Sequence, residues 1–315
     1  MQGSTTDPVG STLAGRYQIL REQGAESLGA VWVGRDTRTQ QLVQIKLLPP
    51  EMATDRVKFA RFGREMTASF LVSQPNTVEV LDYGQDATTG MHFLVLEFLA
   101  ARTLADELGR TGPLDQDRVA TIAAQIALAL GAAHQENIVH RALSPENVLL
   151  LTNVRNGEFV KVRDFGLAKL TTEVEQADDD ASEVTATGLR VGDPRYMPPE
   201  YVAKGEYTAK GDLYALGAVM FHMVAGRPPF QGSRSQLLTQ HVSTPAPSLA
   251  GTVSGVPPWL DALVAALLEK NPADRPGVHA VVNAIQDGVG YGLVMGQLVP
   301  LDADGNLPRA EEAPA

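Results

Sequence analysis

The periodicity of the apolar residues changes once along the chain, and this change limits the folds that the sequence can adopt. From residue 15 to about residue 99, apolar residues occur mostly in short runs separated by Gly, Asp and Thr, a pattern typical of strands and turns. One helix is predicted among them, over residues 56–70, because Phe59, Phe62 and Met66 recur at helical spacing. The predicted strands cover residues 17–20, 30–34, 42–48, 78–83 and 93–98.

Helical periodicity dominates the chain after residue 100. The predicted helices cover residues 118–134, 213–224, 259–269 and 278–285. The second of these is apolar on nearly every side, which indicates a helix buried all round. We therefore predict an α+β fold with two lobes, in which residues 15–99 are mostly β with one helix and residues 100–287 are mostly α.

Three segments fall outside this pattern. Residues 1–14 are small, polar and rich in Gly, and we predict a disordered lead-in. Residues 171–190 contain the acidic run EVEQADDDASE, which is most simply a solvated loop. Residues 288–315 are rich in Gly, Pro, Ala and acidic residues, and we expect a C-terminal tail without a helix.

Composition excludes several classes of protein. The chain has 315 residues, no cysteine and a formal net charge of −11. The missing cysteines exclude disulfides, thiol nucleophiles and Cys-based zinc sites, and they suit a cytoplasmic location. The negative charge argues against nucleic acid as a partner. No apolar run approaches the roughly 18 residues of a membrane helix, so no membrane partner is expected.

A series of short motifs follows in order along the chain. These are VQIK (43–46), a mid-helix Glu65, HRALSPEN (140–147), DFG (164–166), PPE (198–200), Asp212 at the start of the buried helix, and NPADRP (271–276). In this order they resemble the eukaryotic-type Ser/Thr protein kinase domain in the form found in bacteria. The resemblance covers residues 15–287 and implies a two-lobed fold that binds ATP in the cleft between its lobes.

The resemblance also implies roles for individual residues. Lys46 would hold the α- and β-phosphates and pair with Glu65, while Asp164 and Asn147 would supply oxygen ligands to Mg²⁺. The alternatives are a solvated pair for Lys46 and Glu65 and a helix cap for Asp164. Leu96 would be the gatekeeper, before a hinge over residues 97–99. The other expected nucleotide-binding residues are Gly24, Gly29, Val31, Glu97, Leu99 and Leu149.

Three positions depart from the family pattern, and they belong to one hydrogen-bonded unit. The family's catalytic loop reads HRDxKxxN, but Ala142 replaces the aspartate that accepts the substrate proton, and Ser144 replaces the lysine that steadies the γ-phosphate. Asp193 stands where the family has a threonine that bonds both of them. Loss of a general base alone costs about 10²–10⁴ in rate. No catalytic residue of this unit is intact, so we expect an inactive domain, a pseudokinase.

Two further departures concern nucleotide binding. Glu26 replaces the middle glycine of the glycine-rich loop and brings a like charge towards a triphosphate. Gln44 replaces the small alanine of the strand that ends in VQIK, so its longer side chain would crowd the adenine. Because the expected phosphate and metal ligands remain, binding of Mg²⁺ and ATP stays open.

The remaining matches concern regulation and stability. Arg141 would pair with a phosphorylated loop residue. The acidic loop carries five candidate sites that an active kinase could phosphorylate, which are Thr171, Thr172, Ser182, Thr185 and Thr187. Glu200 and Arg275 would form a structural ion pair, and Asp212 would also be structural. The expected partners are other proteins, either an active kinase that modifies the loop or a phosphopeptide reader.

Three functions remain open at this point. The first is an inactive domain with a regulatory or scaffolding role. The second is a slow but genuine Ser/Thr kinase, in which Asp193 supplies the missing carboxylate. The third is a sensor that binds ATP without transferring phosphate.

Overall fold

The structure is a computed structural model, and it describes residues 8–26, 29–47, 72, 74–153, 157–165, 192–294 and 297–300. The described residues up to 47, together with 78–100, form one compact unit. Those within 72–77 and from 101 onward form a second. Elements are numbered below in chain order within the described ranges.

The first unit is a six-stranded antiparallel sheet. Its spatial order is β1-β2-β3-β4-β6-β5. The strands are β1 (Thr12–Leu13), β2 (Tyr17–Glu26), β3 (Gly29–Asp36), β4 (Leu42–Leu47), β5 (Val80–Gln85) and β6 (His92–Glu97). All five predicted strands are present, and β2 and β3 extend beyond their predicted ends. The predicted helix over 56–70 lies outside the described residues.

The two faces of this sheet differ in what they carry. Successive side chains of a strand point to opposite faces of the sheet, so residues two apart share a face. One face carries the apolar core, formed by Leu13, Tyr17, Ile19, Trp32, Val43, Ile45, Leu47, Phe93 and Val95. Lys46 follows Ile45 in β4 and therefore lies on the other face.

The predicted disordered lead-in is wrong for its last residues. Leu13 pairs with Tyr17 in the β1–β2 ladder and is 3% exposed. The backbone N–H of Ala14 donates to Oδ2 of Asp86 at 2.7 Å. A single leucine among polar residues gave no periodic signal, although its burial contributes to the core.

The second unit is mostly helical. Its helices are α1 (Leu104–Thr111), α2 (Gln116–Gln135), α3 (Pro199–Lys204), α4 (Ala209–Ala225), α5 (Arg234–Ser243), α6 (Pro258–Leu267) and α7 (Val278–Val289). Three strands, β7 (Arg102–Thr103), β8 (Val148–Asn153) and β9 (Gly157–Val162), form a small sheet. The predicted helices correspond to α2, α4, α6 and α7, and α4 is buried along most of its length. The sequence analysis missed α1, α3 and α5, which are short. The predicted α+β fold class is confirmed.

The boundary between the units differs from the predicted division at residues 99 and 100. The segment before residue 78 packs with the helical unit, because the side chain of Asn76 donates to Oε1 of the buried Gln125 at 2.9 Å. The backbone N–H of Val162 also donates to the carbonyl of Asn76 at 2.7 Å. A polar side chain that satisfies a distant helix leaves no local periodic signal.

The prediction that residues 288–315 contain no helix is wrong for the first two of them. Helix α7 continues to Val289 and ends at Gly290, whose φ of 68° is the left-handed conformation that favours glycine. An antiparallel hairpin of β10 (Tyr291–Val294) and β11 (Gln297–Pro300) follows. No helix within the described ranges has both the length and the hydropathy to span a bilayer.

Candidate active site and its altered positions

A buried carboxylate fixes the backbone of the loop that joins α2 to β8. Asp212, in the first turn of α4, accepts hydrogen bonds from the backbone N–H groups of His140 (2.8 Å) and Arg141 (2.9 Å). Its Oδ2 also lies 2.8 Å from Nε2 of His134. Arg141 has a φ of 67°, in the left-handed region that residues with side chains seldom adopt. Asp212 therefore holds this loop in a conformation that the backbone alone does not favour.

His140 connects the same loop to the strand end at residue 163. The backbone N–H of Ala142 donates to Nδ1 of His140 at 3.2 Å, so Nε2 carries the proton that it donates to the carbonyl of Arg163 at 3.0 Å. Burial lowers the pKa of His140, which keeps the ring neutral. The ring also contacts Phe165 edge-on, with centroids 4.7 Å apart. The HRA and DF segments are thus joined through one imidazole.

Two of the altered positions carry side chains without charge. Ala142 ends in a methyl group, and its carbonyl accepts a hydrogen bond from Nδ2 of Asn147 at 2.8 Å. Ser144 is 5% exposed, and its hydroxyl does not cap the 3₁₀ turn Pro145–Asn147 that follows. Neither side chain provides a carboxylate base or a positive charge.

The third altered position belongs to a segment that lies against Ala142. A Cβ placed on Gly192 would be 3.4 Å from the carbonyl oxygen of Arg141 and 3.8 Å from Cα of Ala142. Gly192 also has a φ of 105°, which disfavours any side chain. The close approach brings the following residue, Asp193, beside the catalytic loop.

The carboxylate of Asp193 is held by a residue of its own turn. Its Oδ1 accepts hydrogen bonds from the backbone N–H (2.9 Å) and Nε (3.0 Å) of Arg195. Its Oδ2 accepts from Nε at 2.8 Å and also from Nη2. The same Nη2 donates to Oε1 of Glu146 in the catalytic loop at 3.1 Å. Arg195 was not predicted as a site residue, because its only signal in the sequence is an arginine two residues after an aspartate.

The two expected metal ligands lie at one end of the β8–β9 hairpin. Val148 pairs with Val162, so Asn147 precedes one strand and Asp164 follows the other by two residues. The backbone N–H of Arg163 donates to the carbonyl of Asn147 at 3.0 Å. Asp164 has a φ of 66°, a left-handed conformation that costs free energy and is common at functional sites.

These residues fit a magnesium ion. Mg²⁺ prefers hard oxygen ligands and takes few of them from the protein, since substrate phosphates and water supply the rest. Asp164 offers a carboxylate, and Asn147 keeps its Oδ1 for a cation because its amide nitrogen donates to Ala142. Within the described ranges no three His, Asp or Glu residues form a metal cluster.

Lys46 is buried on the sheet face opposite the apolar core. It is 3% exposed and pairs across the ladder with Val31 and Leu94. Gln44 lies on the same face, opposite Leu96, the expected gatekeeper. A solvated surface charge is therefore wrong for Lys46. Its expected partner, Glu65, lies outside the described residues.

The remaining nucleotide-binding candidates lie in both units. In the first, Gly24 pairs with Val31 and Gly29 with Glu26, which places both glycines in the β2–β3 hairpin. Glu97 ends β6, where its side chain accepts a hydrogen bond from a backbone N–H at 2.8 Å, and Leu99 follows that strand. Leu149 belongs to β8, in the second unit. No structural observation tests their roles in binding.

Comparison with known proteins establishes the family. A family model for the protein kinase domain matches residues 17–285. This chain belongs to the protein kinase domain family. It is 34% identical over 275 residues to serine/threonine-protein kinase pkn3 of Myxococcus xanthus, across 86% of this chain and 49% of the relative. It is 35% identical over 269 residues to serine/threonine-protein kinase PknD of Mycobacterium tuberculosis, across 85% of this chain and 38% of the relative.

The resemblance to eukaryotic-type Ser/Thr kinase domains of bacteria is thereby confirmed. The chain spans about half or less of the length of these relatives. Among solved structures, the PknI kinase domain of Mycobacterium tuberculosis superposes with a TM-score of 0.68 and 24% identity. It covers 90% of this chain and 100% of that chain, a match that shows the fold.

The expected structural ion pair of the kinase domain is part of a larger cluster. The guanidinium of Arg275 is fully buried and donates to both carboxylate oxygens of Glu200 at 2.7 Å. Its other bonds go to the carbonyls of Glu269 (2.8 Å), Lys210 (2.8 Å) and Lys270 (3.1 Å). Every N–H of the guanidinium thus has an acceptor, which offsets the cost of burying its charge.

The expected regulatory roles of Arg141 and the loop residues stay predictions. Among the described residues, Nε of Arg141 is buried without a hydrogen-bond partner. The predicted phosphorylation sites, Thr171, Thr172, Ser182, Thr185 and Thr187, lie outside the described residues.

Proposed function

We propose that this kinase domain does not transfer phosphate and serves a regulatory or scaffolding role by binding other proteins. One observation carries the proposal. The catalytic loop has a methyl group at Ala142, and the nearby carboxylate of Asp193 is engaged through both oxygens by Arg195. No described side chain of the altered unit offers a carboxylate without such a cation.

The chemistry of phosphoryl transfer explains why these losses matter. The substrate hydroxyl must give up its proton as it attacks the γ-phosphorus, and negative charge must be stabilised on the transferred group. Ala142 accepts no proton, and Ser144 lacks the positive charge that a lysine would bring to that group. A missing base alone corresponds to roughly 3–5 kcal/mol of barrier.

The slow-kinase alternative depends on Asp193 as a substitute base. Charge-assisted hydrogen bonds from a guanidinium are strong, so a carboxylate that accepts several of them is held in place with its lone pairs already occupied. Asp193 accepts such bonds from Nε and Nη2 of Arg195. This arrangement supports an inactive domain over a slow kinase.

A role in nucleotide sensing has observations of its own. The burial of Lys46 on the face opposite the core of the first unit supports retained phosphate binding. Separately, the placement of Asn147 and Asp164 at one hairpin end of the second unit supports retained Mg²⁺ binding. When bound, the metal ion would neutralise phosphate charge. Gln44 argues in the other direction, because its side chain lies on the face of Lys46, opposite Leu96.

A transfer assay tests the proposed function directly. The purified chain is incubated with Mg²⁺ and γ-labelled ATP, with and without a generic Ser/Thr substrate protein, beside D164A. We expect equal background incorporation in both proteins. Incorporation that is present in the wild type and absent from D164A would contradict the proposal.

Calorimetric titration with ATP, in the presence and absence of Mg²⁺, separates the sensor from a domain that binds no nucleotide. Binding that K46M abolishes supports the sensor, and the absence of heat in the wild type excludes it.

For the protein partner, we propose that an active Ser/Thr kinase modifies Thr172, Thr185 or Thr187. Mass spectrometry after incubation with such a kinase tests this, and an unmodified loop would exclude it.

A further inference from the structure

Arg195 has no assigned role in the resemblance, yet its guanidinium contacts two carboxylates near the altered positions. It belongs to the 3₁₀ turn Pro194–Tyr196, which Asp193 caps. Its guanidinium donates to Asp193 on its own turn and to Glu146 of the catalytic loop at 3.1 Å. A single cation therefore connects two segments that are 49 residues apart in sequence.

The turn that carries Arg195 is anchored to the helical unit by the buried residue that follows it, Tyr196. Tyr196 is 2% exposed, and its hydroxyl lies 2.7 Å from Nδ1 of His222 on α4. Met197 is 3% exposed. Because the neighbouring residues are fixed in the helical unit, the backbone of Arg195 is held beside the catalytic loop.

We propose that Arg195 is a positioning residue that joins segment 192–197 to the catalytic loop through an ion bridge with Asp193 and Glu146. The bridge replaces the hydrogen-bonded unit that the resemblance implies for positions 142, 144 and 193. The two substitutions that removed a catalytic aspartate and a lysine would otherwise leave this segment without its polar connection to the loop. On this view Asp193 serves as the partner of Arg195 and not as a proton acceptor.

The solvent exposure of the three side chains determines how much the ion bridge contributes to stability. The side chains of Arg195, Glu146 and Asp193 are 38%, 47% and 20% exposed. Exposed single pairs contribute little, whereas a network with several charge-assisted bonds contributes more and weakens with salt. The connection also needs no phosphorylation, because both carboxylates belong to the chain itself.

Hydrogen exchange of the full chain tests the bridge without any assay of activity. The backbone N–H of Arg195 donates to Oδ1 of Asp193, and that of Tyr196 to the carbonyl of Asp193 at 3.0 Å. Exchange of the peptide containing residues 192–197 is measured by mass spectrometry. We expect R195Q to raise its exchange rate roughly tenfold and E146Q to raise it roughly threefold.

The variants form a cycle with controls. The peptide in the double variant E146Q/R195Q should exchange no faster than in R195Q, since both substitutions break the same bond between Arg195 and Glu146. R195K keeps the charge without the planar fork and should restore part of the protection. R227Q, at an exposed arginine outside the bridge, should leave exchange unchanged. Raising salt from about 0.1 M to about 1 M should speed exchange in the wild type but not in R195Q.

Strictly additive effects of E146Q and R195Q, or an R195Q protein that exchanges like the wild type, would overturn the bridge. These outcomes do not depend on phosphate transfer, so they are distinguishable from a failure of the proposed function.

The bridge also determines how a restored kinase must be designed. Because D193T removes the carboxylate that holds Arg195, a reversion with A142D, S144K and D193T should include R195Q as well.

Discussion

At the scale of single residues, the same side-chain type has different consequences in different surroundings. Arg275 and Arg110 both form bidentate bonds with a glutamate. The side chain of Arg275 is 0% exposed, whereas that of Arg110 is 59% exposed. Sequence motifs identify the first pair, but only the fold shows that three backbone carbonyls complete the set of acceptors.

This difference predicts unequal losses of stability. Removal of Arg275 takes the guanidinium donors away from both oxygens of the largely buried Glu200 carboxylate, so R275A should lower the free energy of unfolding by about 3–5 kcal/mol. R110A should lower it by at most about 1 kcal/mol, since Arg110 is exposed and Arg118 still pairs with the buried Glu107. Denaturant unfolding of both variants checks the comparison. Equal losses would show that burial does not determine the value of these pairs.

Asp193 shows how a residue read from a motif changes meaning in three dimensions. In the sequence, Asp193 replaces a threonine of the family pattern and is also a potential substitute for the missing base. The geometry of Arg195 and Glu146 supports a third interpretation, in which it orients a cation. That interpretation needs distances across two segments, which spacing in the sequence does not contain.

At the scale of elements, close helix packing explains a glycine in the middle of α4. A Cβ placed on Gly217 would lie 2.6 Å from Cβ of Leu267 at the end of α6. A side chain there forces the two helices apart. Gly109, within α1, differs in that a Cβ placed on it would meet no atom within 4 Å.

Alanine at these two glycines should therefore have effects of opposite sign. G217A should destabilise the protein by about 1–3 kcal/mol, because overpacking outweighs the gain in helix propensity. G109A should stabilise it by roughly 0.5–1 kcal/mol, because alanine restricts the unfolded chain and the site has room. Thermal and denaturant unfolding measure both. Stabilisation by G217A would mean that α4 and α6 do not pack as described.

At the scale of the whole molecule, buried histidines link stability to pH. Burial lowers the pKa of His140 and His222, and burial together with the nearby Lys270 lowers the pKa of His241 to about 4. Histidine in an unfolded chain has a pKa of about 6.5. The unfolded state therefore takes up protons first as the pH falls.

We predict that the unfolding free energy is highest above about pH 6.5 and falls steadily towards pH 4. His241 alone should account for roughly 3 kcal/mol of the loss. H241Q should flatten this dependence, whereas H279Q, at an exposed histidine, should not change it. Denaturant unfolding between pH 4 and pH 8 supplies the measurement. A profile that is flat between about pH 4.5 and 6.5 would contradict this prediction.

Much of the architecture was predictable from local patterns. Alternation in β2 to β6, the apolar surface of α4 and the motif order determined the fold class and the family, because these signals depend on neighbours in sequence. Tertiary structure alone decided that Leu13 joins the core, that Asn76 belongs with the helical unit, and that Arg195 bridges to Glu146. Each of these depends on a contact between distant segments, and hydrogen bonds and ion pairs of that kind leave no periodic trace in the chain.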